Sequence, residues 1–199
     1  MSKKPFFIGV SGGSCSGKTS IARRLAERLP GRAIVLGLDA YYRDFSGVPE
    51  ESIEVDVPGA IDRTLLSHQL AALGEGRAID RPVYDYSTHA RTARAERIEP
   101  GAFVIIEGLF ALYWQDVRDR LDLGVFVAID HDTALSRRIE RDTRERGRTE
   151  ASVRAQYRTK VRPMYERFVL PTRAFADIEV NGADPVDASV DRILARLRA

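Results

Sequence analysis

Apolar residues along this chain fall in short continuous runs separated by longer amphipathic stretches. Phe6, Phe7, Ile8 and Val10 make the first run, 33–36 the second, 103–106 the third and 123–129 the fourth, with Ile178 and Val180 as the last. Short runs bounded by polar turns predict strands buried on both faces. The stretches between them carry a helical period. Ile21, Ala22, Leu25, Ala26 and Leu29 share one face with Arg23, Arg24 and Arg28 opposite. Leu65, Leu66, Leu70 and Leu73 line up behind Asp62, which suits a helix cap, and Val186, Val190, Ile193, Leu194 and Leu197 line up behind a turn at 181–185. Segments 112–121 and 151–168 also read as helical, the second kinked at Pro163. Strands alternating with helices predict an α/β fold, a five-stranded parallel sheet with helices on both faces.

Three segments depart from this rhythm. Residues 43–61, with Gly47, Pro49, Pro58 and Gly59 among several acids, read as a loop. Residues 76–100 mix Arg77, Arg81, Arg91, Arg94 and Arg97 with Tyr84, Asp85, Tyr86 and His89, and weak alternation predicts a β-hairpin insertion. It could close over a substrate or serve a subunit contact. From 132 to 150, Arg137, Arg138, Arg141, Arg144, Arg146 and Arg148 stand against Asp132, Glu140, Asp142, Glu145 and Glu150. A solvated helix with pairs such as Glu140 and Arg144 is the plain reading, and it suits Arg137 and Arg144. Gly147 breaks that helix between Arg146 and Arg148, which predicts an arginine-rich lid over about 138–156.

Composition narrows the class. A chain of 199 residues fits a single domain, 1–199, able to bury about 70% of its unfolded surface. The formal charge of +2 gives no argument for a nucleic-acid coat or a membrane surface, and the acids beside the arginine helix argue against nucleic acid there. Cys15 is the only cysteine, so no intrachain disulfide forms, in keeping with a reducing cytoplasm. No apolar run approaches ~20 residues, and the run after MSKKP is too short for a signal sequence. The expectation is a cytoplasmic protein.

The chemistry begins at Gly12. Four residues separate it from Gly17, Lys18 and Thr19, the P-loop spacing, and the run before and the periodic stretch after supply its strand and helix. In such a loop, here Gly12, Gly13, Ser14, Cys15, Ser16, Gly17, Lys18, Thr19 and Ser20, backbone amides cradle a phosphate beside a helix N-terminus. Lys18 adds a mobile positive charge and Thr19 a hydroxyl for Mg²⁺. Asp39, just beyond the second run, falls at the strand edge where parallel sheets bind ligands. It could take a proton from an attacking hydroxyl, hold a magnesium-bound water, or cap a turn. Glu107, closing the third run, suits Mg²⁺ directly or through water, with a cap as the alternative. A GTP-binding switch would need an Asn-Lys-x-Asp motif, and the only asparagine, Asn181, precedes Gly182.

Six segments, GVSGGSCSGKTS, LDAYYRD, PVYDYSTHAR, IIEGLFALY, LSRRIERDTRERGR and LPTRAFAD, together resemble the uridine kinase (uridine-cytidine kinase) family in the family's own order, over nearly the full length. Phosphoribulokinase and nicotinamide riboside kinase share the loop and fold, but YDYSTHAR and ERDTRERGR are closer to uridine kinases. The resemblance implies transfer of a phosphoryl group from ATP, or GTP as the other donor, with Mg²⁺ at Thr19 and Glu107, to a pyrimidine nucleoside. It implies that Asp39 takes the proton of the 5′-hydroxyl, with Lys18 and Arg141 as the other catalytic groups. It also implies that Asp56 binds the ribose hydroxyls and that Tyr84 and His89 read the pyrimidine. Arg138, Arg141, Arg146, Arg148 and Gln156 would line the acceptor and lid side, and Asp184 would lie near the donor base. A homotetramer assembled partly through the hairpin is the family's oligomer. Two departures stand out: Val55, Asp56, Val57, Pro58 and Gly59 replace an aromatic-Asp-His-Pro-Asp stretch, and Tyr86 stands where phenylalanine is usual. A kinase for another riboside or a sugar phosphate is the alternative reading.

Overall fold

The computed structural model describes residues 4–49 and 52–198; Glu50 and Glu51 of the predicted loop, with residues 1–3 and 199, lie outside the described residues. In chain order the main elements are β1 (Phe6–Gly12), α1 (Lys18–Arg28), β2 (Ala33–Gly37), α2 (Arg63–Gly74), β3 (Ile79–Asp85), β4 (Ala90–Ile98) and β5 (Phe103–Glu107). They continue with α3 (Gln115–Arg118), β6 (Leu123–Ala128), α4 (His131–Arg146), α5 (Glu150–Gln156), α6 (Arg162–Met164), β7 (Ile178–Asn181) and α7 (Val186–Arg198). The five predicted strands form one parallel sheet in the order β2-β5-β1-β6-β7. β3 and β4 pair antiparallel as the predicted hairpin, with an irregularity between Pro82 and Tyr84 where proline interrupts the ladder.

Alternation along β1 explains why its sequence is apolar from Phe6 to Val10, with Ser11 satisfied by donating its hydroxyl to the Leu109 carbonyl at 2.9 Å. Phe7 joins a cluster with Leu36, Leu66, Leu70, Ile106 and Phe110 on one side of the sheet. Its neighbour Ile8 joins Ile21, Leu25, Ile105, Val125 and Ile193 on the other. Successive side chains of a strand point to opposite faces, so a strand covered on both sides is apolar on both, except where a polar side chain finds a partner. Helices α1 and α7 cover the second face through the residues their periodicity marked. Asp62 caps α2 as expected, its Oδ1 accepting the Leu65 amide at 3.1 Å.

Two predicted helices differ. The segment 112–121 contributes only the short α3: Phe110, Ala111, Leu112 and Trp114 ahead of it are all buried, while Gln115, Asp119 and Arg120 are exposed. Turn bonds run instead from the Ala111 amide to Gly108 and from Tyr113 to Phe110. The predicted helix 151–168 stays helical but opens into wide π turns at Tyr157–Val161 and Tyr165–Val169, on either side of Pro163. Proline has no amide proton for the regular ladder, and the wider turns accommodate its ring. Among the described residues no helix is long and apolar enough to cross a membrane.

Strand register sets the working edge. Val10 and Gly37 both sit level with Glu107, and Gly12 with Val127. The loop after β1, the turn after β2 and the end of β5 therefore open onto one side of the sheet.

Candidate active site

Between β1 and α1 the chain turns through Gly12 to Lys18. Gly17 sits at φ 93°, a left-handed conformation that glycine adopts without strain, and occupies the N-cap of α1 with no side chain to offer. The first amides of α1 thus have no side-chain cap and face the loop, which together with the helix dipole makes an anion site. Cys15 is also left-handed, at φ 60°. Lys18 folds over the loop, its Nζ donating to the Gly13 carbonyl at 3.2 Å. Ser20 lies on the first turn of α1, exposed to solvent.

A second turn props the loop from behind. A Cβ placed on Gly182 would lie 1.9 Å from the Ser16 carbonyl oxygen, so only glycine permits β7 to end against the loop. Gly182→Ala should therefore push the cradle out of shape and raise the KM for a nucleoside triphosphate several-fold or more, on the order of the 1–3 kcal/mol that overpacking costs. An unchanged KM in steady-state kinetics would show that the loop does not lean on this turn. Asp184 lies in the same turn, exposed, its carboxylate accepting from Asn181 Nδ2 at 3.2 Å.

Opposite the loop, Thr19 Oγ1 donates to Glu107 Oε2 at 3.1 Å. Glu107 is buried, with 9% of its surface exposed, and burial pushes its carboxyl pKa up against the opposing pull of Lys18. A hydroxyl and a desolvated carboxylate are hard oxygen donors that suit Mg²⁺. Among the described residues no three His, Cys, Asp or Glu side chains group as a metal cage, so an ion here would complete its shell from phosphate oxygens and water. Asp39, in the turn Leu38–Tyr41 after β2, accepts the Tyr86 hydroxyl at 3.1 Å on Oδ2. The field of its carboxylate also raises the pKa of Glu107 and Asp56, which places all three acids in one electrostatic neighbourhood.

Asp56 is half-buried, and burial is the main cause of its raised pKa; Arg138, Lys18 and Arg141 pull it back down. Its flanking Val55 and Val57 pack against the core cluster that includes Tyr42 and Tyr84, so the valines still supply an apolar wall. The hairpin is stitched to the turn carrying Asp39. Arg91 donates to the carbonyls of Tyr42 and Tyr41 at 2.8 and 3.1 Å and to Asp62 at 3.1 Å. Tyr84 packs tilted against Tyr42 and edge-on against Tyr86, each 5.4 Å away between ring centres. Tyr84 Oη and His89 Nδ1 are buried side-chain atoms with no hydrogen-bond partner, the kind of group a ligand satisfies.

The arginine helix differs most from the sequence reading. Arg137, expected on a solvated face, donates to the Gly182 carbonyl at 2.8 Å and leans on Cys15, tying the loop to the β7 turn. Asp142, counted among solvated acids, has no exposed surface. Arg138, Arg141 and Arg146 converge on it at 3.5, 2.8 and 3.6 Å. Arg138 also donates to Ser14 Oγ at 2.8 Å and to Gln156 at 3.1 Å, and Arg148 reaches the same Gln156 oxygen at 2.6 Å. Burial lowers the pKa of Arg138 while Asp56 and Asp142 raise it; a guanidinium starts high enough to stay charged. Gly147, left-handed at φ 62°, ends α4 where the motif placed the break, with the amides of Gly147 and Arg148 both bonded to the Asp142 carbonyl. Arg144 alone matches the solvated reading, pairing with Glu140 and Glu145. A charged residue one turn from two arginines is a common surface pattern, so the sequence held little signal for Asp142.

The structure therefore gathers a phosphate cradle, a hydroxyl-carboxylate pair, a separate aspartate and several guanidinium groups at one sheet edge. Residues 7–189 match the Phosphoribulokinase / Uridine kinase family. The chain is 45% identical to a uridine kinase of Deinococcus deserti, covering 98% of this chain and 96% of that protein. It is 41% identical to a uridine kinase of Ligilactobacillus salivarius, covering 98% and 93%. Its fold superposes on phosphoribulokinase from Rhodobacter spheroides with a TM-score of 0.68 at 17% identity, covering 93% of this chain and 75% of that one. A match of this extent, carried by relatives that align end to end, means that the chain belongs to the phosphoribulokinase / uridine kinase family.

Proposed function

We propose that this protein transfers the γ-phosphoryl group of Mg·ATP, with GTP as the other donor, to the 5′-hydroxyl of uridine or cytidine. The observation that carries the reading is that Asp39 and the Thr19–Glu107 pair share one sheet edge with the loop from Gly12 to Ser20. A base and a phosphate cradle in one crevice suit direct transfer to an alcohol. The uridine kinases at 41% and 45% identity support the choice of nucleoside.

In this reading the loop amides and Lys18 hold the β- and γ-phosphates, and Asp184 lies beside the donor base. Asp39 accepts the proton of the 5′-hydroxyl as its oxygen bonds to the γ-phosphorus and the bond from that phosphorus to the β-phosphate oxygen breaks. The nucleoside monophosphate and ADP leave. Mg²⁺ held by Thr19 and Glu107 supplies neutralisation of phosphate charge when bound. Arg138, Arg141 and Arg148, steadied by Asp142 and Gln156, face the transferring group and the acceptor. Asp56 takes the ribose hydroxyls, and the unpaired atoms of Tyr84 and His89 take the pyrimidine edge. Neutral imidazole donates or accepts according to tautomer, which suits both uracil and cytosine. The single domain, its hairpin insertion and a lid over about 138–156 would act as one cytoplasmic enzyme, assembled as a homotetramer.

Steady-state phosphorylation of the four ribonucleosides and ribulose 5-phosphate, with ATP and with GTP, tests the substrate class. Turnover confined to uridine and cytidine is the expected result. Preference for a purine riboside or for the sugar phosphate overturns it.

A further inference from the structure

From the tip of the hairpin the Tyr86 hydroxyl reaches Asp39 and donates to its Oδ2 at 3.1 Å. An acceptor alcohol has to make the same kind of bond, O–H to carboxylate, on the same side chain. The phenol is a dependable donor, because burial and the neighbouring Asp39 carboxylate both hold it protonated. Half of Tyr86 is exposed, at 50%, its ring rests edge-on against Tyr84, and among the described residues Asp39 is the hydrogen-bond partner of its hydroxyl. Tyr84, by contrast, is buried at 8% and stays with the core. A rotation about the side-chain bonds of Tyr86 would release Asp39 and return the hydroxyl to water without disturbing the hairpin.

Resting on Asp39 as the base of the reading above, we propose that the Tyr86 hydroxyl occupies the place of the acceptor alcohol on Asp39 in the free enzyme and yields it when the acceptor binds. Tyr86 is then a positioning residue. It keeps the carboxylate paired and turned toward the hairpin while the site is empty, and acceptor affinity is lowered by the bond that must be exchanged.

The test is Tyr86→Phe, which keeps the ring and its contact with Tyr84. Calorimetry on the full chain measures binding of uridine and of 5′-deoxyuridine, which has the same base and ribose ring but no 5′ O–H. The variant should bind uridine roughly three- to tenfold more tightly, and 5′-deoxyuridine as the wild type does. Equal uridine affinity in the two proteins overturns the proposal, since the alcohol would then settle on Asp39 without displacing the phenol. An equal gain for both ligands, or weaker uridine binding, overturns it too, because the effect would belong to the ring and not to the exchange. Wild-type protein that binds neither nucleoside removes the underlying reading and the exchange with it, whereas the earlier outcomes leave that reading standing.

Discussion

Asp39→Asn is expected to lower kcat by about two orders of magnitude or more while affinity for the nucleoside triphosphate stays near that of the wild type. The side chain keeps its size and can still accept the Tyr86 hydroxyl, so the turn Leu38–Tyr41 has no reason to move. What disappears is the ability to take a proton as the alcohol attacks. The phosphate cradle lies across the crevice on Gly12 to Lys18 and makes none of its hydrogen bonds to Asp39. Stopped-flow or steady-state kinetics with separate triphosphate titrations decide the matter. A near-normal kcat would remove Asp39 from proton transfer, and a matching loss of triphosphate affinity would make it a structural residue of the cradle.

Asp142→Ala should be the most damaging change to stability. Its carboxylate is fully buried and meets Arg141 at 2.8 Å and the almost buried Arg138 at 3.5 Å, while Arg146 approaches from the solvent side at 3.6 Å. Removing one partner of a buried ion pair leaves the other charge without compensation, at a cost of about 3–5 kcal/mol. For a chain of this size that is a fall in Tm of roughly 6–20 °C, read by calorimetry or a thermal shift. Activity should fall in the surviving folded protein as well, because Arg138 and Arg141 lose the group that holds them beside Ser14 and Asp56. A Tm within about 2 °C of the wild type would mean that solvent or other acids compensate these arginines. Glu140→Ala serves as the contrast: its partner Arg144 is well exposed, and exposed pairs contribute about 0–1 kcal/mol.

The strands and the loop were legible for a local reason. A strand buried on both faces is apolar on successive positions, as at Phe7 and Ile8, and a loop that cradles phosphate favours glycine where the backbone turns left-handed, as at Gly17. The hairpin and the end of α4 at Gly147 were legible on the same grounds. Segment 112–121 misled because its polar second half fits a helix period, while Leu112 and Trp114 at its start are drawn into the core through irregular turns. Arg137 and Asp142 misled because a mixed-charge helix looks alike whether its face meets water or a loop from the far end of the domain.

By itself, then, the amino-acid order determined which stretches become strands and, 112–121 apart, helices, where the phosphate loop lies, and, through six segments in one order, the family. Those properties depend on neighbours a few residues apart, through period, φ preference and capping. Only the tertiary structure decided that Tyr86 rests on Asp39, that Gly182 leans on Ser16, and that Asp142 is an enclosed counter-charge for two arginines. Tyr86 and Gly182 meet chain that is remote in sequence, and the surroundings that take Asp142 out of water are equally remote, so whether a polar group meets solvent or another charge is settled when the sheet edge, the hairpin and α4 close around one crevice.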